Sequence, residues 1–201
     1  MIRILVAEHA PLTRRGLVEF LNGEPDLTVV ADVESGEDVV PAVLEFEPAI
    51  AVIDLELPGT DGFAVAARVH EKAPACRVLI LSVRPNPGLA RRALAARALG
   101  FMGKTVAPES LAAGIRRMAA GHRAIDTELA IAALQTADSP LTRREVDVLR
   151  LAADGSPSAE IASRLFLSVG TVRNHLSRIM CKTGARNRID AIRIATDSGW
   201  L

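Results

Sequence analysis

Three short runs of the chain, Ile4-Leu5-Val6, Ile50-Ala51-Val52-Ile53 and Val78-Leu79-Ile80-Leu81, contain no polar residue. A strand with one wet face alternates apolar and polar side chains. Continuous apolar runs of this length instead indicate parallel strands covered on both faces. Strand-like segments at Ile2–Ala7, Leu27–Val33, Ala49–Ile53, Val78–Leu81 and Gly100–Gly103 alternate with helical patterns at 12–22, 36–46, 62–73, 87–98 and 108–119. Pro108-Glu109-Ser110 opens the last of these helices, a proline and an acid being favoured at a helix start. Five such β-α units predict an α/β doubly wound parallel sheet. Sites in these sheets form beyond the carboxyl ends of the strands, which directs attention to the residues after Ala7, Ile53, Leu81 and Gly103.

The alternation stops near residue 120. Residues 121–139 read as a linker, closed by the breaker cluster Asp138-Ser139-Pro140. From Leu141 the pattern is helical throughout, at 142–153, 158–165, 169–183 and 187–198. The expected division is therefore 1–120, 121–139 and 140–201. A net charge of zero conceals a split: residues 1–139 carry 14 Lys+Arg against 18 Asp+Glu, and residues 140–201 carry 10 against 6. Halves of opposite sign suggest domains with different partners, the basic half being the one to test for nucleic acid. With 49% hydrophobic and 24% charged residues the chain can bury a core. It has no apolar run of membrane-spanning length and no signal-peptide pattern at Met1-Ile2-Arg3-Ile4, and Cys76 and Cys181 are too few for a disulfide framework. A soluble cytoplasmic protein without membrane partners is expected.

Beyond the strands lie Glu8 and His9, then Asp54, Ser82 and Lys104. With Ile53-Asp54-Leu55-Glu56-Leu57-Pro58-Gly59-Thr60-Asp61-Gly62, this arrangement resembles the receiver domain of two-component response regulators, flavodoxin-like (βα)5 switches. An aspartate at a strand end can act as a nucleophile toward phosphohistidine, and the charge of the transferring group calls for a divalent cation and an ammonium. The resemblance implies Asp54 as phosphoacceptor and Mg²⁺ held by Glu8, Asp54 and the backbone carbonyl of Glu56. It also implies Lys104 paired with the phosphoryl oxygens, and Ser82 with Phe101 as the switch pair. Two positions depart from the family pattern. His9 stands where a second acid is usual, which should weaken Mg²⁺ binding because that ion prefers charged oxygen ligands. Thr105 follows the lysine where proline or aspartate is common. A phosphatase of the haloacid-dehalogenase type, with its Asp-x-Asp nucleophile, matches less well: the second position is Glu56, on the third strand.

The helical part resembles the four-helix LuxR/GerE-type helix-turn-helix domain of NarL/FixJ regulators. The matching stretches are Leu141-Thr142-Arg143-Arg144-Glu145-Val146, Ala152-Ala153-Asp154-Gly155, Glu160-Ile161-Ala162 and Leu167-Ser168-Val169-Gly170-Thr171-Val172-Arg173-Asn174-His175. The residues support it independently. Ser168 can cap a helix whose apolar stripe is Val169, Val172, Leu176 and Ile179. Opposite lie Gly170, Asn174, Ser177 and Cys181, flanked by Arg173 and Arg178, a face suited to a major groove. The resemblance places Arg173, Asn174 and Ser177 at base-reading positions, and Thr171, Arg178 and Lys182 at phosphates. His175 is expected to pack. On the last helix Ile189 and Ile192 are expected to face the core, leaving Ala191, Ile194, Ala195 and Ser198 as a surface for a homodimer.

The resulting expectation is a transcription regulator, not an enzyme, that is phosphorylated on Asp54 by a sensor histidine kinase and binds double-stranded promoter DNA as a dimer. The alternative is an atypical receiver working without phosphorylation, constitutively dimeric or ligand-controlled, with His9 as its mark. Arg84-Pro85-Asn86-Pro87-Gly88 and Gly199-Trp200 are most similar to the Des-type subgroup.

Overall fold

The computed structural model describes residues 1–126, 129–132 and 139–201. The predicted linker residues 127–128 and 133–138 lie outside that set. The chain divides into two compact units that part near Ile131.

The N-terminal unit runs β1(Ile2–Ala7), α1(Pro11–Gly23), β2(Leu27–Val33), α2(Gly36–Phe46), β3(Ile50–Asp54), α3(Gly62–Lys72), β4(Arg77–Ser82), α4(Pro87–Ala95), β5(Gly100–Gly103), α5(Pro108–Ala119) and β6(Ala124–Ile125). The sheet is parallel in the order β2-β1-β3-β4-β5-β6. The order reverses at β1, so the ends of β1 and β3 open a crevice where ligands gather in such sheets. The apolar runs occupy its centre: Ile4, Leu5, Ile50, Ile53, Leu79 and Ile80 are wholly buried. The five predicted strands are present, and a sixth, β6, extends the sheet beside β5 at Gly100–Ala124 and Phe101–Ile125. Two residues are too few to show a period, which is why 124–125 reads as linker in the sequence.

Local chemistry sets the ends of the helices. Ser35 caps α2 through Glu37 N–H, and Asp61 caps α3 through Phe63 N–H. Pro11 and Pro108 stand in the first turns of α1 and α5, where a missing N–H costs nothing. Gly62 cannot carry a side chain: a Cβ there would lie 2.8 Å from the Asp54 carbonyl oxygen and 2.9 Å from Leu55 Cα.

Among the described residues the C-terminal unit has four helices: α6(Arg143–Ala153), α7(Ser158–Arg164), α8(Val169–Thr183) and α9(Arg188–Asp197). Thr142 and Glu145 form a reciprocal capping box at α6. Ser168 caps α8 by accepting from Thr171 N–H at 3.0 Å, as its position predicts, and Gly184 ends that helix in the left-handed conformation (φ 66°). Val148, Leu149, Ile161, Val172 and Ile179 form the centre of this core.

The last helix is turned from its expected phase. Ala191 and Ala195 are 1% and 0% exposed and belong to the core, whereas Ile189 is 79% exposed. Neither alanine can therefore line an open dimer face. Small side chains let α9 approach its neighbours closely, and Ile189 sits in the first turn, before the helix reaches the core. Ile192 does pack inward as expected, and Ile194 is half-buried.

Candidate functional site

Parallel strands deliver their C-terminal residues to one rim, and four strands contribute here. Glu8 follows β1, Asp54 ends β3, Ser82 ends β4 and Lys104 follows β5. Glu8, Asp54 and Ser82 are each 1% exposed. Two buried carboxylates cannot both stay ionised in one cleft without a counter-charge. Lys104 supplies it, its Nζ lying 2.6 Å from Glu8 Oε2 and 2.9 Å from Asp54 Oδ1. Burial works against the ammonium, but hydrogen bonds to Glu8 and Asp54 outweigh it and raise the Lys104 pKa above 10.5. The lysine is itself positioned by the sheet edge, because its N–H donates to the Ser82 carbonyl at 2.8 Å.

Backbone donors orient both carboxylates as well. Asp54 Oδ1 accepts from Glu56 N–H at 3.1 Å, and Glu8 Oε1 from Ala10 N–H at 2.9 Å. His9 stands at the mouth: its Nδ1 is 3.0 Å from Asp54 Oδ2 and 3.4 Å from Glu8 Oε1. One ligand atom each from Glu8, His9 and Asp54 falls within 4.8 Å of the others, a spacing that fits a single cation. Two carboxylates suit Mg²⁺; the imidazole suits it less.

Ser82 Oγ accepts from Arg84 N–H, and Phe101 on β5 is fully buried. A cavity of about 580 Å³ adjoins Phe101, bordered by Pro85, Met102, Thr105, Val106 and Arg117. Sequence reading missed Arg14. Its guanidinium donates to the Glu8 carbonyl at 2.8 Å and pairs with Asp32 at 3.0 Å, bracing the loop that carries Glu8 and His9. An arginine in the first turn after that loop is a signal too common to isolate.

In the C-terminal unit the two faces of α8 separate as expected, except that Val169, in the first turn of the expected buried stripe, is exposed. Arg173, Asn174, Ser177, Arg178 and Cys181 are exposed, while Val172 and Ile179 are buried. Thr171 and His175 are half-buried, and Thr171 Oγ1 bonds Ser168 Oγ at 2.8 Å. His175 Nδ1 is buried without a hydrogen-bond partner among the described residues.

Lys182 departs from expectation. Its Nζ is 2.7 Å from Oε2 of the buried Glu145, so its charge ties α8 to α6 instead of standing free for a phosphate. Burial would raise the Glu145 pKa, but the bonds from Lys182 and Thr142 prevail and hold it below 4.5. Two arginines brace the same frame. Arg144 donates to the Leu165 carbonyl at the turn before α8, and Arg188 to the Ala152 and Ser156 carbonyls at 2.7 and 2.8 Å.

A buried acidic cleft at the rim of a parallel sheet and an exposed basic helix face on a helix-turn-helix define a response regulator. The family model for the response regulator receiver domain matches residues 4–116, and that for bacterial regulatory proteins of the luxR family matches 139–195. The transcriptional regulatory protein DesR of Bacillus subtilis is 37% identical over 201 residues, covering all of both chains. The response regulator RamR of Streptomyces coelicolor is 38% identical, covering all of this chain and 98% of its own. Among solved structures, the response regulator ChrA of a heme-sensing two-component system matches with a TM-score of 0.58 at 29% identity, over 100% of this chain and 98% of that one. The chain belongs to the NarL/FixJ family of two-component response regulators, which regulate transcription by binding DNA. Among the described residues no helix is long and apolar enough to cross a membrane.

Proposed function

We propose that Asp54 is the phosphoacceptor and that its phosphorylation controls the DNA-binding activity. An Asp54 carboxylate oxygen attacks the phosphorus of a kinase phosphohistidine, and the P–N bond breaks with its electron pair returning to the imidazole. The observation that carries this reading is the convergence of Glu8, Asp54 and Lys104 within hydrogen-bond distance in a buried cleft. Glu8, Asp54 and the Glu56 backbone carbonyl would hold Mg²⁺, whose charge offsets that of the incoming phosphoryl group. Lys104 pairs with a phosphoryl oxygen as its bond to Asp54 opens. Ser82 Oγ then turns to the phosphoryl group, and Phe101 moves into the space beside it.

On the output side, Arg173, Asn174 and Ser177 read base edges, while Thr171 and Arg178 contact phosphates. Two copies meeting through α9, by way of Ile194 and the exposed Ile189, would set two reading helices on symmetric half-sites. Acetyl phosphate or BeF₃⁻ with Mg²⁺, followed by intact mass and gel filtration, tests the switch. Wild type should gain one phosphoryl group from acetyl phosphate and shift toward dimer with either reagent; Asp54→Asn should do neither.

One observation favours a second reading. His9 and Lys104 already occupy both oxygens of Asp54 at rest. A regulator that dimerises without phosphorylation would ignore both the reagents and the substitution.

A further inference from the structure

We propose that His9 sets the cation selectivity of the acidic cleft, so that the site takes nitrogen-bonding divalent ions such as Co²⁺ or Mn²⁺ in preference to Mg²⁺. The inference rests on the reading of this cleft as the cation-assisted phosphoacceptor site.

The ligand atoms are placed by the backbone. Glu8 is oriented by Ala10 N–H and Asp54 by Glu56 N–H, and both carboxylates are 1% exposed. His9 Nδ1 meets them at 3.4 and 3.0 Å, and the three donors lie within 4.8 Å of one another. A cation here therefore meets two carboxylate oxygens and one imidazole nitrogen. When Nδ1 is the metal donor the ring N–H sits on Nε2, and the His9 side chain is 43% exposed.

Two effects separate the ions. An imidazole brings no negative charge, so attraction for every dication is less than a third carboxylate would give. The nitrogen lone pair restores affinity only for ions that bond nitrogen well. Affinity for such donors rises from Mn²⁺ through Co²⁺, whereas Mg²⁺ demands near-octahedral oxygen ligands and dehydrates reluctantly. Mg²⁺ loses the charge and gains nothing in return. Lys104, bonded to both carboxylates, lowers affinity for all dications alike and leaves the ranking to His9.

Calorimetric titration of the full, untagged chain with MgCl₂, MnCl₂ and CoCl₂ reads the ranking directly. Wild type should bind Co²⁺ tightest and Mg²⁺ weakest. His9→Asp should tighten Mg²⁺ by about tenfold or more and narrow the ratio of Co²⁺ to Mg²⁺ affinity, the size of effect expected when one group at a metal site changes. His9→Ala should weaken Co²⁺ without helping Mg²⁺. Paramagnetic broadening by Co²⁺ should erase the amide signals of Glu8, His9 and Leu55. Equal ratios in wild type and His9→Asp would overturn the proposal, as would broadening centred on His122 or Cys181 instead. Acetyl phosphate labelling of His9→Asp in Mg²⁺ keeps the two claims separate. Labelling that depends on Asp54, together with unchanged ion ratios, removes the selectivity role and leaves the phosphoacceptor standing. No labelling with any cation removes the phosphoacceptor, while the selectivity is still judged by calorimetry.

Discussion

Each unit of this protein contains a lysine hydrogen-bonded to a buried carboxylate, and the two pairs serve different ends. Lys104 bridges Glu8 and Asp54 at the rim of the sheet, and Lys182 binds Glu145 between α8 and α6. Lys104 answers two carboxylates in a cleft with an open mouth, where a third oxyanion group can enter and compete for the ammonium. Lys182 answers one carboxylate whose other bonds go to its own helix cap. A buried ion pair alone thus identifies nothing; surplus negative charge with room for a ligand marks the functional one.

Removing each ammonium should expose that difference. Lys104→Met leaves two buried carboxylates uncompensated and should destabilise the N-terminal unit by about 3–5 kcal/mol, besides abolishing transfer from acetyl phosphate. Thermal unfolding and intact mass check both effects. If its stability matches wild type, the cleft is not the charged site described here. Glu145→Ala should cost about 1–3 kcal/mol through the lost cap and ion pair, screening by water at the half-exposed lysine keeping the figure modest. Urea unfolding followed by the fluorescence of Trp200, which packs on the C-terminal core, measures it.

DNA binding sharpens the contrast further. Arg173→Ala should weaken operator binding by about 1–3 kcal/mol and relax specificity at one position. Arg178→Ala should lower affinity for all sequences and reduce the salt slope by roughly one. Lys182→Met should leave that slope unchanged, because its charge is spent inside the domain; an equal drop would return it to the phosphate contacts.

The smallest effect is one of pH. The Glu145 pKa lies below 4.5 in the folded domain, so its contribution is fully present above 4.5 and is lost as pH falls through the lower folded value. Stability of wild type should therefore drop in acid more steeply than that of Glu145→Gln, and parallel curves would contradict the shift.

Much of this was readable without coordinates, for physical reasons. Continuous apolar runs reported double-sided burial, and an acid or lysine after such a run had nowhere to go but the rim. The cap of Ser168 and the stripe of α8 followed from a side-chain oxygen and a 3.6-residue period. What escaped depends on distances between elements. Lys182 and Glu145 are 37 residues apart, and nothing local shows that α6 places the acid beneath the lysine. The phase of α9 does not follow from hydropathy, because isoleucine weighs more than alanine on any wheel although close helix contact favours the smaller residue. The orientation of His9 onto Asp54 likewise needs the β1–α1 loop in three dimensions.

Gly62 carries no reactive group, yet a single methyl group there would press on the backbone of Asp54 and Leu55. The backbone that carries Asp54 is thereby held in place by an atom that is missing eight positions downstream. A search for inactivating substitutions confined to charged side chains would overlook it, and a sensor silenced in this way would keep every reactive group in its inventory while losing their alignment.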